Sequence, residues 1–485
     1  MNKIKNLEFN KDVFKNKNFF IIIIFLGFCF SVILSSYYVI KYDKYVKGSD
    51  IEHQLIKDET FYHWSYGAKI ANEVRQGKNF FLAGGVTFTK PLQQRIIALY
   101  SLVTGYELID LEKKNLRVTL GGKIPYLIIQ GLIYFLSLLF FAKKLFKTIP
   151  NYAFLYVICF LSFEFTIFQY HSSFWTESIY FSLQLIIFGM LLEKKTSFYY
   201  NLIIGLLLGF LFLQRTAGVF YIFPILLCSF FLFRKKIIPV FFGIVTGFII
   251  IVTLLGLYNQ YQTNKFYIFP LEGKYSLYSY FAVPKVLSKK LNVSTSEALK
   301  QDSEKMIDWI RKNNIELNST LENISSPTML KNYFKNEVDK IKFLNKLSSR
   351  SHEILLDNPI LTIKAIIENT LHLIILNPVH NHYYNESRGK NKIGFINTDT
   401  HKKLIPYRIV YTLIIYLFCL IGFISLYKQK KFYELSLVTL SVLYYVALFG
   451  WYGKTRLYVP SLIYLSVFFG VGLNVFINYL KKVEK

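Results

Sequence analysis

Apolar residues run through this chain in long blocks separated by short polar gaps, and two long polar stretches break the rhythm. The blocks fall at 19–40, 124–142, 151–168, 177–193, 199–213, 219–233, 237–257, 406–427, 433–450 and 458–480. A hydrocarbon core about 30 Å thick takes roughly 20 helical residues. Lipid admits a backbone only where its own hydrogen bonds close, as they do in a helix. The pattern therefore predicts an all-α polytopic membrane protein with about ten transmembrane helices. Block 199–213 is short for a full crossing, which implies little tilt or a locally thinned bilayer. The first block is too long for a cleavable leader, and no small-residue cleavage site follows it.

Basic residues orient the blocks. The N-terminal tail carries Lys3, Lys5, Lys11, Lys15 and Lys17, and Lys143, Lys144 and Lys147 follow the second block. Lys194 and Lys195 follow the fourth, Arg234, Lys235 and Lys236 the sixth, Lys428, Lys430 and Lys431 the eighth, and Lys481 and Lys482 lie near the end. The alternate short loops are poor in cations: 169–176 has none and 214–218 only Arg215. Both termini are thus expected in the cytoplasm, with two large segments, 41–123 and 258–405, facing outward. Three regions result: 1–257 with a first outer loop at 41–123, an outer helical segment 258–405, and C-terminal helices in 406–485. Residues 361–377 are apolar yet hold Lys364, Glu368 and His372. A crossing there would turn the Lys428–Lys431 cluster outward, so parity predicts an interfacial or re-entrant helix instead. Within 291–360, Leu299, Met306, Ile307 and Ile310 recur at helical spacing, which predicts a small helical domain. No internal repeat is visible, so an inverted-repeat transporter gains no support.

Composition narrows the class further. Of 485 residues, 53% are hydrophobic and only 18% charged, with 47 Phe and 37 Tyr, which excludes an ordinary soluble enzyme and a disordered basic chain. The 57 Lys+Arg against 30 Asp+Glu leave +27, a value that would suggest nucleic acid if the cations were not gathered at span ends. Cys29, Cys159, Cys228 and Cys419 lie inside apolar blocks and read as small hydrophobes, not as disulfide or zinc frameworks. His63, His171, His380, His382 and His401 face outward without tight ligand spacing, and the His380-Asn381-His382 pair is weak evidence for a metal. The sequons at Asn292, Asn318, Asn323 and Asn385 matter only in a eukaryotic lumen. The lysine- and isoleucine-heavy composition points to an AT-rich genome and a bacterial inner membrane.

Candidate chemistry sits in the first outer loop. Asp58-Glu59 leads into an amphipathic aromatic helix through Phe61, Trp64, Tyr66 and Ala68, ending near Gly77 and expected along the membrane face. An Asp at a first turn is also favoured by the helix dipole, so capping alone accounts for Asp58 equally well. Lys90-Pro91-Leu92 then opens a second interfacial helix that carries Arg95 and ends at Gly105. Lys90 and Arg95 also fit cations that snorkel at a lipid surface.

Together the two stretches resemble the GT-C membrane glycosyltransferases, most nearly the branch of the protein O-mannosyltransferases and the lipid A aminoarabinose transferase. Asp58, Glu59, Tyr66 and Ala68 fit that branch's first motif, and Lys90, Pro91 and Leu92 fit its Lys-Pro-Pro-Leu with one Pro missing. Glu177 in Trp175-Thr176-Glu177-Ser178 fits an acidic residue opening a later span, and Arg215 fits an Arg at a short outer turn. Arg456-Leu457-Tyr458-Val459-Pro460 approximates a terminal Arg-Tyr-x-x-Pro with an inserted Leu. The likeness runs through about residue 260 and loosely over about the last 80 residues, while 291–360 matches nothing in it.

The resemblance implies sugar transfer from a polyprenyl-phosphate donor to a glycan, lipid or protein acceptor on the outer face, with no cofactor. Asp58 is then the general base for the acceptor hydroxyl. Lys90 and Arg456 stabilise the departing phosphate, with Arg95, Arg215, Glu177 and Tyr458 also at the substrate. Glu59 could assist a divalent cation beside Asp58, but the branch resembled works without one, so no metal is expected. Structural roles compete at each position: Glu177 at a span boundary, Arg215 and Arg456 as headgroup anchors. Two other classes stay in view. An O-antigen-type polymerase or ligase has similar spans but lacks Asp-Glu after the first. A lipid-linked sugar flippase would place ionisable residues at mid-membrane, where here only Glu164 approaches.

Overall fold

The computed structural model describes residues 19–46, 59–84, 91–106, 109–110, 115–116, 120–149, 151–168, 170–171, 176–233, 236–268, 272–315, 317, 334, 337–376, 398–452 and 458–483. Nearly all of these are helical. The helices are α1 (Phe19–Val46), α2 (Glu59–Arg75), α3 (Pro91–Thr104), α4 (Leu120–Leu145), α5 (Asn151–Phe163), α6 (Glu177–Leu192), α7 (Phe198–Gln214), α8 (Ile222–Phe233) and α9 (Ile237–Thr263). They continue with α10 (Thr295–Lys312), α11 (Glu337–Leu356), α12 (Pro359–Leu376), α13 (Thr398–Lys428), α14 (Phe432–Tyr452) and α15 (Ser461–Val483). A two-residue antiparallel ladder joins Ile109–Asp110 to Asn115–Leu116.

Six segments are long and apolar enough to cross a membrane: Phe19–Tyr37, Ile124–Leu145, Thr216–Phe233, Ile237–Thr263, Ile409–Lys428 and Ser461–Val483. By length and composition the chain is an all-α membrane protein. Tyr152–Phe168, Glu177–Leu192, Phe198–Gln214 and Phe432–Leu448 are shorter apolar helices, and they occupy the other four blocks of the hydropathy pattern. Ile33, Phe223, Ile238 and Leu413 point out of the bundle, the arrangement expected where lipid rather than water is the solvent.

Between lipid-solvated helices there is no hydrophobic gain on association, so small residues and interhelical hydrogen bonds decide the pairing. Two seams here are built on glycine. In α7 and α9, Gly205 and Gly247 press against the opposite backbones, at Ile244 and Leu202. In α13 and α15, a Cβ on Gly422 would overlap the Phe468 carbonyl and one on Gly472 the Phe418 carbonyl. Gly470 packs α15 on Ala153 and Val157 of α5 in the same way. The free thiols follow the apolar reading: Cys228 and Cys419 are buried, Cys29 and Cys159 half-buried.

Lysines from three of the clusters that oriented the blocks meet their partners at one end of the bundle. Lys144 at the end of α4 bonds Glu193, which also takes Lys195 at 3.0 Å. Lys194 pairs with Glu434 at 2.7 Å, and Lys431 donates to the Thr148 carbonyl at 2.6 Å. These contacts tie the ends of α4 and α6 to the loop after α4 and the start of α14.

Residues 272–315 and 337–376 form a second core. Tyr278, Phe281, Val283 and Val286 of a π-helical stretch (Tyr278–Leu287) meet Met306 and Ile310 of α10, Leu344 and Leu347 of α11, and Ala365 of α12. Pro284 inside that stretch cannot donate a backbone hydrogen bond, and a wider turn accommodates it. Ser294 caps α10 by accepting from the Glu297 amide at 3.2 Å. Met306 and Ile310 are buried as their spacing implied, while Ile307 is half-buried. One turn before Met306, Asp302 is buried and accepts from Arg350 Nη2 and from the Tyr278 hydroxyl, both at 2.8 Å. The Asp302 bond, set against burial, holds Arg350 above its usual range.

The glycine seams give a direct expectation. Gly422→Val should lower the unfolding temperature in detergent, at a cost of about 1–3 kcal/mol. Gly131→Ala, whose added carbon meets only Phe28 at 4.0 Å, should not. Equal melting of the two variants would remove the backbone contact as the cause.

Candidate functional site

The loop helices α2 and α3 lie side by side because the face Gly67-Ala68-Ala71 is small. A Cβ on Gly67 would sit 2.6 Å from Ile97 and 3.1 Å from the Gln94 carbonyl, and Ala68 and Ala71 are buried. Trp64 is buried against Tyr126, ring centroids 6.2 Å apart. Arg75 donates to the Ser101 carbonyl at 3.2 Å, and Glu73 accepts from the Gly84 amide at 2.9 Å. Burial works against the Glu73 carboxylate, yet the Gly84 amide with Lys78 and Lys69 still holds its pKa below the usual range. Gly84 has φ +101°, which only glycine adopts without strain.

Pro91, next in sequence to Lys90, begins α3, where a missing amide costs nothing. Two residues on, Gln93 turns into the bundle. It donates to the Tyr126 hydroxyl at 2.9 Å and accepts from Gln214 Nε2 at 2.6 Å. Gln214 donates also to the Thr176 carbonyl at 3.0 Å. The Thr176 hydroxyl donates to Glu177 Oε2 at 3.2 Å. Glu177 Oε1 meets Arg215 Nη1 at 2.8 Å, with 1% and 3% of the two side chains exposed. One polar chain thus runs from the loop helix α3 to the start of α6 and the end of α7.

Local backbone explains the geometry. The chain leaves α7 at Arg215 in an extended conformation, φ −159° and ψ 131°, and folds straight back into a 3₁₀ turn (Thr216–Tyr221). Gly218 permits this, since a Cβ there would stand 2.8 Å from the Leu211 backbone. Arg215 is drawn over the Tyr180 ring, 5.9 Å to its centroid. Its charge is met by Glu177, so the pair fastens two helix ends.

Beneath the pair the polar chain continues inward. Tyr180 and Tyr445 share a hydroxyl–hydroxyl bond at 2.8 Å, and Gln184 donates to Tyr445 at 2.9 Å. Tyr221 donates to Tyr464 at 2.6 Å and bonds Ser441 at 2.8 Å. These five side chains and Ser441 come from α6, the 3₁₀ turn, α14 and α15. Periodicity does not reveal them, because tyrosine counts as apolar along a single helix. Gln184 inside an apolar block was the available signal.

To one side lies a second buried polar group. His171 Nδ1 and the Ser178 hydroxyl are 2.6 Å apart, and the imidazole lies tilted against Tyr134, centroids 4.5 Å apart. Burial pushes the His171 pKa down to about 3, so the ring is neutral at physiological pH. Glu164 interrupts the helix after Phe163; it accepts from the Thr166 and Tyr411 hydroxyls, both at 2.6 Å.

Of the residues singled out from sequence, Glu177 and Arg215 are brought together. Arg95 goes elsewhere: its guanidinium donates to the Phe81 carbonyl at 2.9 Å and lies 4.9 Å over the Tyr258 ring. Tyr258 and Gln262 of α9 reach the carbonyls of Ala83 and Leu82 at 3.2 and 2.9 Å, so Arg95 belongs to a clamp between the loop turn and α9. Tyr458 is buried with its hydroxyl 2.7 Å from that of Tyr416, on the α13–α15 side. Asp58, Lys90 and Arg456 lie outside the described residues, as do His380 and His382, and the same holds for the side chain of Glu59. Among the described residues no three His, Cys, Asp or Glu side chains gather as metal ligands.

No protein-family model matches the chain, and no curated protein matches it.

The ion pair sets a testable cost. Glu177→Gln leaves the Arg215 charge buried and unmatched, and should destabilise the protein by about 3–5 kcal/mol. Adding Arg215→Gln should recover much of that loss in detergent melts. Single and double variants of equal stability would show that the pair does not hold the helix ends.

Proposed function

We propose that this protein is a GT-C-type membrane glycosyltransferase, moving a sugar from a polyprenyl-phosphate donor to an acceptor at the face opposite the lysine-rich end. The reading includes ten spans, the four short apolar helices among them, both termini in the cytoplasm, and a bacterial inner membrane with the reaction outside. What supports it most is the chain Gln93–Gln214–Thr176–Glu177–Arg215. Through it, the helix that begins at Pro91, directly after Lys90, is linked to both the acidic residue and the arginine that the GT-C motifs single out, at one end of the bundle.

The chemistry needs three tasks. An acceptor hydroxyl is a weak nucleophile near neutral pH, and Asp58 takes its proton as the oxygen attacks the anomeric carbon. The bond from that carbon to the phosphate oxygen breaks, and the lipid phosphate leaves with the electron pair. Lys90 as a point charge and Arg456 as a fork meet the charge that builds there. A single displacement of this kind inverts the anomeric centre. Glu177 and Arg215 act as a positioning pair, fixing α3 against the bundle, and Arg95 positions the loop turn on α9. Glu59 stands beside the base, Tyr458 braces the segment after Arg456, and no metal takes part.

The test follows release of polyprenyl phosphate from a panel of polyprenyl-phosphate sugars by the full-length protein in liposomes. Asp58→Asn should lower turnover at least about 10²-fold while the protein stays folded. Lys90→Ala should weaken donor use by about tenfold or more. Wild-type turnover in Asp58→Asn would sink the base assignment, and unchanged kinetics in Lys90→Ala would reduce that residue to a lipid anchor.

A further inference from the structure

Helix α12 buries one face and leaves the other apolar and open. Thr362, Ala365 and Asn369 are buried. Ile360, Ile363, Ile367 and Leu371, at spacings of three and four, are 80%, 58%, 51% and 51% exposed, and Leu356 at the end of α11 extends the line at 76%. Five large aliphatic side chains on one helical stripe are unfavourable in water at about 25 cal/mol per Å² of apolar surface, and such a stripe on an outer surface marks an interaction site.

Its surroundings say what covers it. α12 packs along α14 and touches α13. Asn369 Nδ2 donates to the Gly450 carbonyl at 3.0 Å, and Gly450 faces Thr370 and Ile366. α13 contains one of the six segments suited to cross a membrane, and its Leu413, Ile414 and Leu417 point outward, as does Leu443 of α14. The stripe on α12 therefore continues the lipid-facing surface of the bundle. Cations line its edge. Lys289 bonds Glu368, and with Lys364 and Lys285 it holds that carboxylate below its usual range, three lysines around one acid. An apolar stripe with a basic border is the pattern of a helix lying in a membrane interface, aliphatic groups among acyl chains and ammonium groups at the headgroups.

We propose that α12 lies on the bilayer and anchors the second core, residues 272–315 and 337–376, to its surface through Ile360, Ile363, Ile367 and Leu371. The occupant of the stripe is lipid, and Lys285, Lys289 and Lys364 meet headgroup phosphates beside it. This inference rests on the membrane fold alone and stands whether or not the protein transfers sugar.

The test uses the full-length protein with its four cysteines replaced by alanine, in liposomes of phosphatidylethanolamine and phosphatidylglycerol. Spin labels are placed singly by Ile363→Cys, Ile367→Cys and, on the exposed side of α10, Lys305→Cys. Collision with oxygen, which concentrates in lipid, is compared with collision with a water-soluble nickel chelate. The labels at 363 and 367 should favour oxygen several-fold more than the label at 305. Equal nickel access at all three positions would overturn the proposal by showing a face open to water. Shielding of 363 and 367 from both reagents would overturn it differently, by showing protein on the stripe, whether a second copy or another chain. Ile360→Cys provides an independent label should either of the other two disturb folding.

Discussion

A bilayer withdraws the force that assembles soluble proteins. Apolar side chains gain little by leaving lipid for a neighbouring helix, so contact between helices must come from shape and from hydrogen bonds that lipid cannot supply. The rest of this fold follows from that constraint. Gly205, Gly247, Gly422 and Gly472 bring backbones into direct contact where dispersion forces act at full strength. Tyr180, Gln184, Tyr221, Tyr445 and Tyr464 supply polar links across four elements. Hydroxyls rather than charges serve there, since a neutral bond costs less to bury than an ion.

Charge is admitted where the bundle meets its ends, and differently at each. At the lysine end the pairs are half-open and shared, as with Glu193 between Lys144 and Lys195. At the other end Glu177 and Arg215 are closed off almost completely. A buried pair of this kind contributes more to geometry than to net stability. It sets where α6 begins and α7 ends, and through Gln214 and Gln93 it sets where α3 lies. The α3 helix is in this sense positioned outward from a salt bridge.

Much of the architecture was legible in one dimension, and the reasons are specific. The block 177–193 became Glu177–Leu192 and 199–213 became Phe198–Gln214, because these helix ends coincide with the change from apolar to polar composition. By contrast α13 starts at Thr398, well before the apolar block at 406, and runs through Pro406, a residue that composition alone reads as a break. At the site, Glu177 and Arg215 could be singled out as rare charges in apolar surroundings, though their mutual contact is a property of the folded ends. Arg95 shows the limit. Sequence distinguishes a snorkelling cation from a phosphate ligand poorly, and neither reading contains the carbonyl of Phe81 or the ring of Tyr258. The tyrosine column was invisible because each member pairs with a residue on another helix.

The clamp around Arg95 joins parts of the chain that are distant in sequence. The turn at Phe81–Ala83 is held by Arg95 from α3 and by Tyr258 and Gln262 from the last turns of α9. α9 is also the stem from which the second core departs, with Asn259 fastening the Tyr267 carbonyl just beyond it. The two segments therefore share an attachment at the end of α9. A substitution at that end of α9 therefore touches two neighbours at once, the turn beside α3 and the start of the second core.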